Sequence, residues 1–253
     1  MDADFFTPAS RDAAGRGLKV LEVEMADIAS ATSGWSSKLI HGGLRYLEYY
    51  EFRLVREALE EREVLLNAAP HIVRPMRFVL PHDRTMRPVW MIRIGLWMYD
   101  HLGKRVSLPG SHTVPFPHIE YSAGLKPEIR SGIVYSDCRV DDARLTLLTA
   151  MSARDKGATV LTRTRFAGAK RENGVWRAEL EDVRTGARKP VTATAIVNAA
   201  GPWVSSVLEG VPHRATGAKV RLVKGSPNVV PKVPSPGQAC ILQNTHKRVI
   251  FVI

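Results

Sequence analysis

Ser36-Ser37-Lys38-Leu39-Ile40-His41-Gly42-Gly43-Leu44-Arg45-Tyr46-Leu47 sets two hydroxyls, a lysine, an imidazole, a glycine pair and an arginine in twelve residues. A plain surface loop has no need of Leu39, Ile40, Leu44 and Leu47 threaded between them, and a plain core segment does not carry Lys38, His41 and Arg45. The mixture predicts a partly buried backbone pressed against a polar ligand. Gly42 and Gly43 let that backbone approach closely or take positive φ. Hydroxyls and amides at such a place bind phosphate or ring oxygens. The competing reading is a Gly-Gly turn before a helix, with His41 a satisfied core residue.

Upstream, Asp12-Ala13-Ala14-Gly15-Arg16-Gly17 reads as a helix end with a glycine cap, and Leu18 to Val23 as a short strand ending in Glu24. An acidic residue after the second strand of a dinucleotide-binding βαβ unit binds ribose hydroxyls. Glu24 stands at that place, with a solvated strand end as the alternative; Glu22 lies on the strand proper. Residues 1–10 show no periodicity and are expected to be irregular.

Downstream, Phe52, Val55, Leu59, Leu65, Leu66 and Ala69 recur at helical spacing until Pro70. Residues 70–118 interleave Arg74, Arg77, Arg84, Arg87 and Arg93 with Phe78, Trp90 and Trp97, as an interfacial surface or as ordinary packing of arginine stems and aromatic rings. Asp141 and Asp142 suit a helix N-terminus, and Gly157 ends that helix. Strands are expected over Ala158–Arg163 and Phe166–Lys170, then an Asn173-Gly174 hairpin turn. Trp176, Ala178 and Leu180 form the inward face of the next strand. Ala195 to Ala200 is continuously small and apolar, as in a parallel strand buried on both faces. Gly201 then turns the chain where α/β folds place ligands. Arg221–Gly225, Cys240–Leu242 and Val249–Ile253 read as further strands.

Composition bounds the function. The 253 residues are 45% hydrophobic and carry a formal net charge of +11, which favours an anionic substrate or an acidic membrane surface. Nucleic acid is not expected, because the basic residues are scattered and no recognition motif is present. Two cysteines, Cys138 and Cys240, give no metal-ligand spacing. The start MDADFFTPAS is not a signal peptide, and no apolar run reaches the ~20 residues of a membrane span. A cytoplasmic protein, soluble or peripheral on the membrane face, is expected.

The run SSKLIHGGLRYLEYYEFRLV, with YDHLGKR, YSDCRVDDARL and VNAAGPWV further on, closely resembles the FAD-dependent glycerol-3-phosphate dehydrogenases. The resemblance extends from about Arg11 to Ile253. It implies an α/β fold: a FAD-binding Rossmann-like domain of the glutathione-reductase and D-amino-acid-oxidase type, interleaved with a mixed α+β substrate region. Residues 11–70 and 135–210 would form the flavin domain, and 71–134 and 211–253 the substrate region. The family begins with a strand and a G-x-G-x-x-G loop and continues beyond the point where this chain stops. On that reading the chain is a fragment truncated at both ends, expected to hold FAD poorly by itself.

The activity implied by resemblance is oxidation of sn-glycerol 3-phosphate to dihydroxyacetone phosphate, with hydride to FAD and electrons on to a quinone. The implied flavin contacts are Glu24, Thr32, Ser33, Ser36, Ser37, Lys38, Leu39, Gly42, Gly43, Ala200 and Gly201. Arg45 is the implied phosphate ligand, since a guanidinium fork suits phosphate oxygens, and Tyr46 assists it. His41 is either the base that takes the C2 hydroxyl proton or a fixed donor to the flavin. Implied partners are glycerol 3-phosphate, a quinone, an anionic membrane surface and a second copy of the chain. The sequence departs from the family at Gly34 and Trp35, and at Pro227, where a histidine is usual. The rivals are another FAD-dependent oxidase or dehydrogenase of the same fold and a non-functional truncated remnant.

Overall fold

The computed structural model describes residues 6–83, 86–103, 106–118, 120–211, 225, 227–231, 237–243 and 249–253. The chain divides into two compact units, Met1–Ser36 with Asp142–Pro227, and Ser37–Asp141 with Asn228–Ile253.

The first unit opens with helix α1 (Phe6–Gly15), so part of the stretch expected to be irregular is helical. Pro8 sits in its first turn, where the missing N–H is no loss. Its end is a left-handed glycine cap: Gly17 has φ +81°, Leu18 N donates to Ala13 O and Gly17 N to Ala14 O. Strand β1 (Leu21–Val23) follows, shorter than the sequence suggests. After a 3₁₀ turn at Thr32–Trp35, the chain passes through the second unit and returns.

The second unit begins with β2 (Leu39–Ile40), a 3₁₀ turn over Leu44–Tyr49 and helix α2 (Phe52–Ala68). Strand β3 (Val73–His82), helix α3 (Val89–Leu102), β4 (His112–Pro115) and β5 (Ser131–Val140) come next. The first unit resumes with α4 (Asp142–Asp155), β6 (Thr159–Leu161), β7 (Thr164–Glu172), β8 (Val175–Asp182), β9 (Arg188–Ala193) and α5 (Val204–Glu209). β10 (Ala239–Gln243) and β11 (Val249–Val252) complete the second.

In the first unit β1 pairs with β6 in parallel, and α1 meets α4 through Ala14, Ala153 and Ala158. β7, β8 and β9 form an antiparallel meander. Its first turn is the expected one: Asn173 (φ +50°) and Gly174 (φ +82°) are both left-handed, as a two-residue hairpin of matching twist requires. Ala178 and Leu180 point inward as the alternation predicts. Residues 195–200 depart from expectation: they form no strand, and Val197 is 78% exposed. An apolar run becomes a two-sided buried strand only when neighbours hydrogen-bond both its edges, and among the described residues none does. The strand expected at Arg221–Gly225 lies outside the described residues, apart from Gly225.

The second unit is built on β5. Its full length pairs antiparallel with β3, and its other edge takes β2 at one end and β4 at the other. β10 adds to β3 in parallel, and β11 to β10 antiparallel. Helices α2 and α3 cover one face, where Val55, Leu59, Leu96 and Tyr99 meet Phe78, Ile133 and Tyr135. No helix among the described residues is long and apolar enough to cross a membrane.

Candidate functional site

In the first unit, Glu24 follows β1 at the carboxyl end of the parallel pair. Its N–H donates to Leu161 O at 2.8 Å, its carbonyl accepts Thr164 N–H, and its side-chain Oε1 accepts Ala26 N–H at 2.8 Å. The loop thus fixes one carboxylate oxygen and leaves the group half-buried at the strand end. Glu22 is the buried acid of β1, and burial is the main cause raising its pKa.

The small hydroxyl-rich loop beyond Glu24 is anchored to α4. Ser33 Oγ lies 3.4 Å from Thr146 Oγ1, and Ser36 Oγ donates to the Asp142 carboxylate. Thr32 is half-buried beside them, and Trp35 is 73% exposed. Ala29 is held at φ +62°, a conformation non-glycine residues reach only when the surroundings impose it. At the other end of this unit Gly201 takes φ +51°, and Asn198 ties the turn by accepting Ala200 N–H and donating to Val204 O.

In the second unit the Ser37–Leu47 stretch is a shaped corner. Lys38 has φ +60°, and its carbonyl accepts Val140 N–H at 2.9 Å as the chain enters β2. Ser37 is exposed, and Leu39 is half-buried against the α2–α3 core. Gly42 is a glycine by necessity: a Cβ there would stand 2.4 Å from Leu59 Cδ2 and 2.8 Å from the Tyr99 hydroxyl. The close approach predicted for this glycine is therefore made to the protein's own core. Gly43 takes φ +70° and caps the 3₁₀ turn, with the Tyr46 ring lying over it.

His41 Nδ1 accepts Gly43 N–H at 3.0 Å. With Nδ1 an acceptor, the neutral ring carries its proton on Nε2. Arg45 is exposed on the 3₁₀ turn and makes no ion pair or hydrogen bond among the described residues. A guanidinium without a partner among the described residues is suited to an oxyanion.

Behind this corner lies a polar group that the sequence did not single out. Asp137, 1% exposed on β5, accepts Arg62 Nη1–H at 2.6 Å. The Tyr99 hydroxyl is 2.9 Å from both Asp137 oxygens and accepts Gly42 N–H at 2.7 Å. Glu63 stands 3.5 Å from Arg62 Nη2 and accepts Ser107 N–H. Burial pushes the Asp137 carboxyl up to about 6, against the Arg62, Tyr99 and Gly42 N–H contacts that pull it down. Burial likewise raises the Tyr99 phenol well above its ordinary value. The signal was an aspartate inside a strand with seven consecutive buried residues, Gly132 to Cys138.

The chemistry of these residues fits a flavin dinucleotide. Glu24 offers a carboxylate oxygen at a parallel strand's carboxyl end, suited to ribose hydroxyls. Ala29 and Lys38, both left-handed without being glycine, bracket the hydroxyl-rich loop. Such strained positions cluster at ligand clamps.

Comparison with known proteins agrees with this chemistry. The family model "FAD dependent oxidoreductase" matches residues 9–253. The chain is 59% identical to the aerobic glycerol-3-phosphate dehydrogenase of Escherichia coli (strain K12), over 96% of this chain and 48% of that protein. It is 55% identical to the D-erythritol 1-phosphate dehydrogenase of Brucella abortus (strain 2308), again over 96% and 48%. Among solved structures, the glycerol-3-phosphate dehydrogenase of Bacillus halodurans complexed with FAD matches with a TM-score of 0.55 and 27% identity, covering 81% of this chain and 34% of that one. The chain spans about half the length of the curated relatives it matches.

Proposed function

The chain belongs to the FAD dependent oxidoreductase family, and we propose that its protein oxidises a phosphorylated polyol, sn-glycerol 3-phosphate in the first place, to the corresponding ketone phosphate. The observation that carries this reading is the Arg45 guanidinium, without a partner among the described residues, on a corner shaped by Gly42 and Gly43. The 59% identity to a glycerol-3-phosphate dehydrogenase supports it.

Bound FAD would supply the two-electron chemistry, taking the hydride from C2 and passing electrons on to a quinone. Glu24 would hold the adenosine ribose. Thr32, Ser33, Ser36, Ser37, Lys38, Leu39, Gly42, Gly43, Ala200 and Gly201 would line the rest of the cofactor. Arg45 binds the substrate phosphate through its fork, and Tyr46 adds a hydroxyl donor. His41, whose Nδ1 accepts Gly43 N–H, would serve either as a fixed donor to the flavin or as the base that takes the C2 hydroxyl proton.

The Brucella relative favours a second substrate of the same class, since its 55% identity is close to that of the Escherichia coli enzyme. The test is steady-state turnover of the flavin-loaded protein with glycerol 3-phosphate and D-erythritol 1-phosphate, read by reduction of a quinone analogue. A kcat/KM at least tenfold higher for glycerol 3-phosphate is expected. Preference for erythritol phosphate moves the substrate within the class, and turnover of neither, with an amino acid oxidised instead, overturns the reading.

Attachment to an anionic membrane face is the second part of the proposal. It is supported by α3, whose Trp90 (62%), Ile94 (52%) and Trp97 (61%) form one exposed stripe at helical spacing. Arg93, also exposed, makes no ion pair among the described residues. Basic groups near anionic lipid contribute about 1 kcal/mol each. Co-sedimentation with phosphatidylglycerol vesicles at low salt is expected, and Trp90→Ala with Trp97→Ala should weaken it severalfold. Failure of the unaltered protein to sediment at low salt refutes this part.

A further inference from the structure

We propose that Tyr99, backed by Asp137 and Arg62, is the positioning device of the His41–Gly43 corner. With Asp137 ionised, the chain of contacts has one polarity. Gly42 N–H can only donate, so the Tyr99 oxygen accepts it at 2.7 Å. The phenol has one hydrogen, and it points at the Asp137 carboxylate, 2.9 Å from either oxygen. Arg62 Nη1 donates to the same carboxylate at 2.6 Å and to Ser136 O at 3.2 Å. Helix α2, helix α3 and strand β5 each supply one member, all almost fully buried.

What they hold is a single backbone amide, Gly42 N–H, just beyond the Lys38–Val140 and β2–β5 ties. Leu59 Cδ2 and the Tyr99 hydroxyl fill the space a Gly42 side chain would need. The next amide, Gly43 N–H, donates to His41 Nδ1. Fixing Gly42 therefore fixes the plane from which the imidazole is aimed, and Gly43 then caps the turn that carries Arg45 and Tyr46. A buried carboxylate and guanidinium are costly to desolvate, and the same apolar space filled with aliphatic side chains would be at least as stable. Their presence behind the corner is accounted for by orientation, which an apolar contact cannot impose on an N–H. Tyr99 does not touch the reacting atoms, so its effect passes through Gly42 and His41.

This inference rests on the reading that the His41–Tyr46 corner faces the substrate, and its test separates the two. Tyr99→Phe in the flavin-loaded protein keeps the ring and removes the hydroxyl. Hydrogen exchange of the peptide covering Leu39–Leu44 should accelerate about tenfold or more, the loss of one buried hydrogen bond, while β3 peptides keep their protection. With glycerol 3-phosphate, kcat should fall on the order of 100-fold with KM changed far less, the signature of misplacement. Ile133→Val, in the same apolar cluster, is the control for general loosening; it should lower the melting temperature without moving the Leu39–Leu44 exchange or kcat. Unchanged exchange in Tyr99→Phe overturns the proposal whatever the substrate is. So does accelerated exchange with an unaltered kcat, or an Ile133→Val variant that reproduces both effects. If no polyol phosphate is turned over, the functional reading fails, and the exchange result alone still upholds or overturns the hold of Tyr99 on the corner.

Discussion

Arg45→Ala in the flavin-loaded protein is expected to raise the KM for glycerol 3-phosphate by a factor between about 30 and several thousand. The visible flavin spectrum should not change. Removing one partner of a charge-assisted contact typically costs ~2–5 kcal/mol, and each ~1.4 kcal/mol is a factor of ten in affinity. The effect should be large because no described residue competes for the guanidinium: Arg45 makes no ion pair among them. It should also be confined to the substrate, because the corner is shaped by Gly42, Gly43 and the Tyr99 hydroxyl and not by Arg45. Arg45→Lys should recover only part of the affinity, since an ammonium keeps the charge and loses the two-pronged geometry. A KM within twofold of the unaltered protein would remove Arg45 from the phosphate site. A bleached flavin would show that its role is in holding the cofactor instead.

Local order was legible where local chemistry decides it. Asn173 and Gly174 could be read as a turn because both must adopt positive φ, and both do. The helix over Phe52–Ala68 was visible in the recurrence of Val55, Leu59 and Leu66, which it buries; Arg62, expected on the wetter face, and Glu63 are buried with them. Ala195 to Ala200 could not be read the same way. Its apolar run says that it can be buried on two faces, and whether strands flank it is decided elsewhere in the chain.

The site divides along the same line. Glu24, Gly42, Gly43 and Arg45 were singled out from short stretches and from the family resemblance those stretches carry. The group that shapes the corner was not, because Gly42 meets Tyr99 from 57 residues away and Arg62 meets Asp137 from 75. Glycine at position 42 was expected for approach to a ligand, and the approach observed is to Leu59 and Tyr99. A sequence reports that a position tolerates no side chain, but not which neighbour forbids it.

Arg62→Met is the substitution expected to cost most in stability, about 3–5 kcal/mol at neutral pH, the usual penalty for stripping one partner from a buried pair. Methionine retains much of the arginine stem's apolar volume, so packing is largely kept. What is lost is the cation 2.6 Å from Asp137 and 3.5 Å from Glu63, leaving two acids without their shared guanidinium. In a domain of this size that loss lowers the melting temperature by roughly 6–20 °C.

The loss should grow with pH, and the sign follows from Asp137. Its carboxyl titrates at about 6 in the folded protein against an ordinary 3.8. The folded state therefore binds the proton more tightly than the unfolded chain, and stability falls as pH rises from about 4 through 6. Without Arg62 the folded value climbs further, which extends the window of falling stability past neutrality. Melting curves at pH 5 and pH 8 should thus show a small deficit for Arg62→Met at the lower pH and a large one at the higher. Adding Asp137→Asn to Arg62→Met removes the stranded charge and should restore stability at pH 8 relative to the single variant. Equal deficits at both pH values, or no recovery in the double variant, would show that Arg62 acts through packing and that the Asp137 charge is not what it holds in place.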